Sequence, residues 1–399
     1  MSEEKNVPNI RFKGFTDPWE QRKFSELYKK NVEQNDQLFS REKTISISSM
    51  SYNPSGNGAI DITKYKVLRT GDIAFEGHNN AKFSFGRFVL NDLGDGIMSP
   101  RFKSLRPLKD LPIQFWKYYI HYEPIMKNIL VRSTKKGTMM NELVLNDFFK
   151  QPIRVPVKNE QNTIGQLLSH LSSTIALHQQ KVTQLKELKK LLMQKIFDQE
   201  WRFKGFTDPW EQRKLGKVGK TFTGLSGKTK EDFGHGDAKF VTYMNVFNNP
   251  VSDLEMTDSI EVDAKQNSVE YGDVFFTTSS ETPEEVGMSS VWLGNKDNVY
   301  LNSFSFGYHP DKIFAPYYLA FMLRSPAIRR NFMFLAQGIS RYNISKTKVM
   351  DMEVPVPKFE EQKQIGDCFK QLDTTIALHQ QKVDELKELK KYLMQNLFV

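Results

Sequence analysis

The chain has 399 residues, which favours two or more domains, and its 39% of hydrophobic residues supply material for packed cores. The single cysteine, Cys368, excludes an internal disulfide and a cysteine-rich metal site, so a reducing cytoplasm is the expected compartment. No run approaches the ~18 apolar residues of a membrane span, and the charged start of the chain lacks the apolar core of a signal peptide. The net charge of +9 suggests a polyanionic partner.

The first 30 residues carry an aromatic cluster around a turn. The turn signal is Thr16-Asp-Pro18, and the aromatic residues that flank it are Phe12, Phe15, Trp19 and Phe24. The block from Arg11 to Lys23 returns unchanged as Arg202 to Lys214. We therefore expect the two copies to pack against the same surface in two repeated halves of the chain.

Residues 31–157 predict a mixed α/β domain with a β-rich centre. Short runs of β-branched or aromatic residues, which are typical of strands, occur at residues 44–48, 67–68, 73–75 and 83–89. They alternate with turn residues, and the turn signals lie at 53–58 and 91–96. Aromatic and aliphatic residues at helical spacing follow in residues 113–131, where Pro124 interrupts the pattern.

Residues 160–197 predict a long helix with one apolar seam. The seam residues recur at steps of four and three, the pattern of a coiled coil, and are Ile164, Leu168, Leu171, Ile175, His178, Val182 and Leu185. The stretch Thr174 to Val182 recurs letter for letter as Thr375 to Val383, and it gives a second seam made of Ile365, Phe369, Leu372, Ile376, His379, Val383 and Leu386. Two such helices in one chain most simply bury their seams against each other.

The direction of the second helix follows from the connection between the two. A parallel pair would force the chain to return along a helix of about 57 Å, at 1.5 Å per residue. The 13 residues from Arg202 to Lys214 span at most about 45 Å when fully extended. An antiparallel pair needs no return path and gives a closed pseudo-twofold. The sequence therefore predicts an antiparallel intramolecular coiled coil.

Residues 215–357 repeat the architecture of the first domain with different side chains. Strands are expected at 240–243 and 274–277, and a helical stretch at 317–334 contains Pro326. The sequence thus predicts an α+β protein in four segments: recognition domain 1–157, helix 158–199, recognition domain 200–357 and helix 358–399. The segments that frame each copy, namely the block at 11–23 or 202–214 and the helix core at 174–182 or 375–383, are identical in the two copies. The sequences between these segments have diverged.

The doubled order of motifs resembles that of the DNA-specificity subunits of type I restriction–modification systems, over essentially the whole chain. The residues that carry this resemblance are the signatures Gly71-Asp-Ile73 and Gly272-Asp-Val274, the helix entries Glu160-Gln161 and Glu361-Gln362, the repeated Pro-Trp-Glu-Gln-Arg-Lys block and the repeated helix core. The resemblance implies a non-catalytic subunit whose two domains each read one half of a split, asymmetric site in double-stranded DNA, while the helix pair fixes the gap. It also implies that two methyltransferase subunits, and restriction-translocase subunits through the complex, assemble on a cytoplasmic protein that associates with the nucleoid when bound to DNA.

Loops in both domains carry side chains that suit DNA contacts. Arg, Lys, Asn, Ser and Thr can bond to base edges or phosphates, although each such loop taken singly also suits a solvated surface. In the first domain the candidates are His78, Asn79, Asn80, Lys82, Arg101, Lys103, Arg132, Lys135 and Lys136; in the second they are Lys228, Lys230, Thr277, Thr278, Ser279, Arg341 and Tyr342. Lys136-Gly-Thr138 and Gln337-Gly-Ile339 occupy the same place in the repeat, so the residues next to them are the stronger candidates.

Several catalytic motifs are missing from the sequence. The segment Gly224 to Thr229 resembles a phosphate-binding loop, but Phe222 stands where that motif needs glycine. No glycine-rich methyl-donor motif, amine-methylating motif or nuclease constellation is recognisable, and the histidines lack paired-ligand spacing. We therefore expect no cofactor and no metal. His178 and His379 could share a metal, but a polar seam residue that fixes helix register is the simpler interpretation.

Two other functions remain open at this point. A dumbbell-shaped interaction protein could use the two domains to bind proteins or glycans, with its basic charge incidental. A self-sufficient DNA methyltransferase or nuclease would need motifs that this sequence lacks. Selection from random duplexes tests the first alternative, and incubation with a labelled methyl donor tests the second.

Overall fold

The computed structural model describes residues 7–53, 61–78, 80–137 and 140–399. The chain forms two compact units: unit 1 comprises Met1–Gln179 with Gln381–Val399, and unit 2 comprises Gln180–Gln380. Within the described ranges, every helix is too short or too polar to cross a membrane.

Among its described residues, unit 1 contains twelve short strands, and four helices lie entirely within it. The strands are β1 (Glu20–Lys23), β2 (Tyr28–Lys30), β3 (Ile45–Ser46), β4 (Ser51–Tyr52), β5 (Lys66–Leu68), β6 (Ile73–Glu76), β7 (Arg87–Leu90), β8 (Gly96–Met98), β9 (Lys103–Pro107), β10 (Thr134–Lys135), β11 (Glu142–Leu143) and β12 (Pro152–Val155). The helices are α1 (Phe24–Leu27), α2 (Ile113–Tyr119), α3 (Glu123–Val131) and α4 (Leu145–Lys150), followed by α5 (Lys158–Phe197), which begins in unit 1 and ends in unit 2.

Unit 2 follows a similar order of elements. Its strands are β13 (Glu211–Lys214), β14 (Gly219–Thr223), β15 (Phe233–Val241), β16 (Thr257–Ile260), β17 (Val274–Thr277), β18 (Ser279–Ser280), β19 (Ser289–Val291), β20 (Val299–Leu301), β21 (Ser305–Pro310), β22 (Tyr342–Asn343) and β23 (Glu353–Val356). Its helices are α6 (Tyr243–Asn248), α7 (Pro316–Met322), α8 (Pro326–Leu335) and α9 (Lys346–Met350), and α10 (Phe359–Leu397) begins in this unit and ends in unit 1.

Each unit is built on a four-stranded antiparallel sheet. The strand order is β2-β9-β6-β7 in unit 1 and β14-β21-β17-β19 in unit 2. The apolar faces of these sheets pack against helices: Phe88, Trp116 and Phe148 are fully buried in the core of unit 1, and Tyr308 and Phe332 are fully buried in that of unit 2. Burial of these large side chains is the main term that stabilises each unit.

The duplicated Trp block fastens each unit to the first turn of a long helix. In unit 1, Arg11 donates two hydrogen bonds of 2.7 and 2.8 Å to the buried carboxylate of Glu160, and β1 pairs with β12. In unit 2, Arg202 makes the same bidentate contact to Glu361 at 2.9 and 2.7 Å, and β13 pairs with β23. The two copies of the block therefore pack in the same way, as the repeat predicts.

The two long helices run antiparallel within each unit. In unit 1, Leu171 and Ile175 in the first half of α5 pack with Val383 in the second half of α10. In unit 2, the Lys189 ammonium bonds to Asp373 at 2.6 Å, and Phe197 at the end of α5 stacks on Phe369 at 5.8 Å between ring centroids. The α+β class and the antiparallel helix pair predicted from the sequence are thus confirmed.

The predicted seam residues differ in how deeply they are buried. Those shielded from solvent are Ile164, Leu168, Leu171, Ile175, Val182, Leu185, Ile365, Phe369 and Val383. Leu372, Ile376, Leu386 and both seam histidines, His178 and His379, are half-buried. Ile164 and Leu168 contact the core of unit 1, and Ile365 and Phe369 contact that of unit 2, so the first turns of each helix serve as core elements.

The structure corrects three secondary-structure expectations. Tyr243 begins α6 rather than ending a strand, because the Thr242 hydroxyl caps the helix by accepting from the Asn245 amide. The expected strand at 83–89 begins at Arg87, because Gly86 adopts a φ of 79°, in the left-handed region. The expected strand at 44–48 is reduced to Ile45–Ser46. Of the expected turn at 53–58, residues 54–58 lie outside the described residues.

Candidate nucleic-acid interface

The Gly-Asp signature forms the same turn in both units. Gly71 and Gly272 adopt φ angles of 90° and 93°, which favour glycine. The backbone carbonyl of Asp72 accepts from the Asn91 amide at 2.8 Å, and that of Asp273 accepts from the Trp292 amide at the same distance. This turn therefore fixes the start of β6 in unit 1 and of β17 in unit 2.

The carboxyl group of each signature aspartate is buried and has a different nitrogen-bearing partner in each unit. Arg106 donates to Asp72 at 2.8 Å, whereas His309 Nδ1 lies 2.5 Å from Asp273 Oδ1. Burial raises the pKa of Asp72, and burial raises the pKa of Asp273 to about 6. These aspartates hold the turn, and their buried position leaves base or phosphate contacts to other residues.

The strand that follows this turn ends beside a hairpin in each unit. In unit 1, the Gly77 carbonyl just after β6 accepts from the Asn141 amide at 2.8 Å, and the hairpin is β10–β11. In unit 2, the Thr278 carbonyl just after β17 accepts from the Ile344 amide at 2.9 Å, and the hairpin is closed by backbone hydrogen bonds of 3.0 and 2.8 Å between Gln337 and Asn343. Two segments that are some 65 residues apart in sequence thus meet at one end of each sheet.

A glycine forms the bend of this hairpin in both units. A Cβ at Gly137 would lie 2.3 Å from the Met140 carbonyl oxygen, and one at Gly338 would lie 2.0 Å from the Arg341 carbonyl oxygen. Only glycine fits so close to backbone. The residues at the bend differ between the units; Ile339 is 96% exposed, whereas Thr138 and Met139 lie outside the described residues.

In unit 1, a polar groove of about 380 Å³ lies at the end of β6. Its polar lining includes Ser46, Ser48, Glu76, His78 and Arg101. His78 Nδ1 lies 3.9 Å from the Glu76 carboxylate, and the Arg101 guanidinium lies over the Phe102 ring at 4.6 Å. Such a mixture of donors and acceptors is the chemistry that reads base edges.

In unit 2, a groove of about 710 Å³ lies between α6, β18 and the hairpin. Tyr243 and Phe247, one helical turn apart on α6, stack at 5.9 Å beside it. The polar lining residues are Ser279, Ser280, Glu281, Glu285, Ser340 and Arg341. Aromatic faces, carboxylates and a guanidinium converge here, which again suits recognition of bases.

The structure places the sequence-predicted residues of unit 1 in several environments. His78 and Arg101 share the polar groove, and Lys103 and Lys135 line a second groove described below. Asn80 accepts from the amides of Lys82 and Phe83, which shapes its own turn. Lys82, Arg132 and Lys136 are exposed, and Asn79 lies outside the described residues.

The predicted residues of unit 2 divide into accessible and engaged groups. Arg341 is exposed and Tyr342 half-buried at the hairpin, and Lys230 is exposed elsewhere. Lys228 pairs with Asp263 at 2.9 Å, and this ammonium holds the pKa of Asp263 well below its ordinary value. The Thr278 hydroxyl donates to the Phe304 carbonyl at 2.9 Å. Thr277 and Ser279 are buried, and Met288 donates its amide to the Thr277 hydroxyl.

Several groove residues were absent from the sequence-based candidates. Tyr243 and Phe247 carry a signal that could have found them, an aromatic pair one helical turn apart. Ser46, Ser48, Glu281 and Glu285 carry no such signal, because only the fold brings them to a groove. Across the described residues, no cluster of three or more His, Cys, Asp or Glu side chains is placed to hold a metal ion.

These features define a class of protein: a tandem repeat that presents two chemically different polar surfaces on one scaffold. The family model of the type I restriction modification DNA specificity domain matches the chain twice, at residues 4–187 and 207–388. The chain belongs to this family. It is accordingly a DNA-recognition subunit of a type I restriction–modification system and not itself an enzyme. The two alternative functions considered from the sequence are not favoured.

Individual relatives agree with this assignment. The putative type I restriction enzyme MjaX specificity subunit of Methanocaldococcus jannaschii is 24% identical over 359 residues, covering 84% of this chain and 79% of the relative. The MjaVIII specificity subunit of the same organism is 21% identical over 305 residues, covering 69% of this chain and 68% of the relative.

Solved structures share the fold. The S subunit of a type I restriction–modification system from M. genitalium has a TM-score of 0.58 at 15% identity, covering 98% of this chain and 99% of that one. A chain from a structural study of complex assembly and conformational transition in the type I system has a TM-score of 0.51 at 17% identity, covering 96% and 98%.

Proposed function

We propose that each unit reads one half of a bipartite, asymmetric sequence in double-stranded DNA. The observation that carries this proposal is the shared hairpin-and-groove scaffold with unlike side chains. His78 and Arg101 stand at the groove of unit 1, whereas Arg341, Glu281 and the Tyr243–Phe247 stack stand at that of unit 2. Because the donors and acceptors differ, the two units prefer different bases, and the combined site is asymmetric.

The proposed base contacts come from the accessible residues of this interface. Arg101 and Arg341 suit guanine, which accepts two hydrogen bonds from one guanidinium, and carboxylates suit the cytosine amino group. Thr277 and Ser279 are left out of the proposed contacts because both side chains are buried. Exposed lysines such as Lys82 and Lys136 suit phosphate contacts, which position a unit on the duplex without reading its sequence.

An exchange of recognition segments tests the proposal. Replacement of residues 215–350 by the matching segment of another specificity subunit should change one half-site and leave the other half-site unchanged. Methylome sequencing of cells that carry the complete system reads both half-sites in one experiment. Re-insertion of the original segment through the same junctions is the matched control. A change in both half-sites, or in neither, would contradict the assignment of one half-site to each unit.

We further propose that the recognition modules correspond to residues 1–157 and 200–357, and that the helix segments 158–199 and 358–399 set the number of unread base pairs between the half-sites. The unchanged recurrence of Thr174 to Val182 as Thr375 to Val383 in these helix segments supports this division. In the cell, such a subunit acts in the cytoplasm and joins the nucleoid when it is bound to DNA.

The long helices also suggest where two methyltransferase subunits dock. Six large apolar side chains on these helices are between 42% and 65% exposed, and they occupy repeated positions: Leu177, Leu188 and Leu191 on α5, and Leu378, Leu389 and Tyr392 on α10. Exposed apolar side chains in repeated positions mark contact surfaces. One methyltransferase subunit per copy of the surface gives two in the complex, and restriction-translocase subunits join through that complex.

A further inference from the structure

A second groove of unit 1 collects four lysines from four strands. It has a volume of about 480 Å³ and lies between the sheet and the hairpin β10–β11. Its charged lining residues are Lys30, Lys66, Lys103, Lys135 and Glu142. Four ammonium groups against one carboxylate leave a local excess of three positive charges.

Two of these ammonium groups are fixed in place by the backbone. Lys66 Nζ donates to the Phe102 carbonyl at 2.7 Å, and Lys103 Nζ donates to the Leu143 carbonyl at 2.5 Å. Among the described residues, none of the four lysines lies within 4.0 Å of a carboxylate oxygen. Lys66 and Lys103 are thus oriented by neutral acceptors, which leave their charges uncompensated.

Such a cluster has an electrostatic cost. Burial lowers the pKa of Lys66, and the nearby charges of Lys30 and Lys103 lower it further. An anion in the groove would relieve this repulsion, because its charge favours the protonated form of every lysine around it.

We propose that this groove binds phosphodiester groups of the DNA duplex and anchors the backbone beside the hairpin of unit 1. Lys135 lies in β10 and Glu142 in β11, so the groove adjoins the hairpin of unit 1, where Lys136 is a proposed phosphate contact. The inference rests on the proposed DNA recognition by this unit and gives the groove a separate role. Phosphate contacts position the protein, while base contacts select the sequence.

The second unit lacks two of these lysines at the equivalent positions of its sheet. In the ladder next to β6, Lys103 faces Phe75; in the ladder next to β17, Phe306 faces Phe276. One strand further out, Lys30 faces Leu105, whereas Thr221 faces Tyr308. Two lysines of unit 1 are therefore replaced by phenylalanine and threonine in unit 2. The phosphate anchor is a property of one half of the repeat, and it makes the salt dependence of binding unequal between the halves.

The test measures duplex binding against salt with the full chain assembled with its methyltransferase subunits. Lys66→Gln with Lys103→Gln should reduce the slope of log Kd against log salt by about 2, since each lost phosphate contact reduces it by about 1. Binding of specific and scrambled duplexes should weaken by similar factors, and the half-site sequences should stay unchanged. The matched control is Lys13→Gln with Lys109→Gln, which removes two exposed lysines of the same unit outside the groove and should leave the slope unchanged.

A second pair of substitutions keeps the test valid if the variant with Lys66→Gln and Lys103→Gln misfolds. Lys30→Gln with Lys135→Gln removes the other two lysines of the groove, both of them exposed, and should reduce the slope in the same way. An unchanged slope in both groove variants, or an equal reduction in the control, overturns the groove assignment while sequence-specific binding still supports the proposed function. Loss of sequence preference by the unaltered complex would instead overturn the proposed function.

Chemical labelling distinguishes DNA from a small anion. The duplex should protect Lys66 and Lys103 from acetylation by acetic anhydride, as read by mass spectrometry, whereas inorganic phosphate at equal ionic strength should not. Equal protection by inorganic phosphate alone would overturn DNA as the occupant.

Discussion

At the scale of single residues, the signature aspartates show how one position can have two electrostatic environments. Asp72 bonds to Arg106, which also donates to Glu33 at 2.6 Å, so unit 1 surrounds its aspartate with a network of permanent charges. Asp273 instead bonds to His309, whose ring stacks on Phe222 at 4.3 Å. The same turn is therefore held by a permanent cation in unit 1 and by a titratable partner in unit 2.

This difference predicts a pH dependence of the stability of unit 2. Burial raises the pKa of Asp273 from 3.8 to about 6, so the folded carboxyl keeps its proton to a higher pH than the unfolded one. Its stabilising contribution is therefore complete below pH ~3.8 and is lost as the pH rises through ~6. Urea unfolding at pH 4.5 and pH 7 should show the unaltered protein losing about 2 kcal/mol relative to Asp273→Asn, because part of the contribution is already lost at pH 4.5.

His309→Arg provides the matched variant, because it gives unit 2 the kind of partner that unit 1 has. A permanent cation favours the ionised carboxylate, so the pH-dependent loss should be smaller than in the unaltered protein. The prediction is wrong if the unaltered protein and Asp273→Asn show the same pH dependence.

At the scale of elements, the hairpin has a glycine at its bend in both units, whereas the other residues at the bend differ between the units. Gly137 and Gly338 hold the bend against a backbone carbonyl, and the strands β18 and β22 connect the bend of unit 2 to the end of β17. A rigid bend of this kind presents different side chains at the same position, which is what a reader of bases requires.

Gly338→Ala should therefore weaken recognition of one half-site. The new Cβ would lie 2.0 Å from the Arg341 carbonyl, and the φ of 140° is strained for alanine. We expect discrimination at the half-site of unit 2 to fall about tenfold or more, since a displaced hairpin loses the ~1–3 kcal/mol of a good base contact. Duplex selection with the assembled complex measures this change.

Gly227→Ala is the control for this substitution. Gly227 also has a positive φ, 65°, but a Cβ there would meet no atom within 4 Å. It carries the cost of the left-handed conformation, about 1 kcal/mol, without the collision. Equal loss of discrimination in the two variants would show that the close approach at Gly338 does not matter.

At the scale of the whole molecule, the repeat places large exposed apolar side chains at matching positions of both long helices. Leu389 and Tyr392 belong to unit 1, and their counterparts Leu188 and Leu191 belong to unit 2. All four side chains are exposed although they are large and apolar. Two copies of one surface are the simplest basis for two copies of one partner.

Leu389→Glu or Tyr392→Glu should therefore remove one methyltransferase subunit from the complex. A carboxylate at an apolar contact loses its hydration without gaining a partner, so docking at that copy becomes unfavourable. Sedimentation of the co-expressed complex should show a one-to-one species in place of two-to-one. Gln395→Glu, which adds a charge at another exposed position near the end of α10, should retain the full complex. Full occupancy in the apolar-to-Glu variants would contradict this docking site.

By itself the sequence determined the repeat, the α+β class and the antiparallel helix pair. These features depend on local periodicity, on chain connectivity and on letter-for-letter duplication, all of which can be recognised from the order of the residues alone. The family resemblance follows from the same features, because the order of the motifs defines it.

The tertiary structure decided which polar residues are available for contact. Thr277 and Ser279 had the right chemistry for base contacts, but the core buries them; Lys228 had the right charge, but Asp263 pairs with it. Conversely, Lys30 and Lys66 lie 36 residues apart and gave no local signal, yet the fold brings both to one groove. Burial and the pairing of charges depend on contacts between distant segments, and composition and periodicity do not specify these contacts.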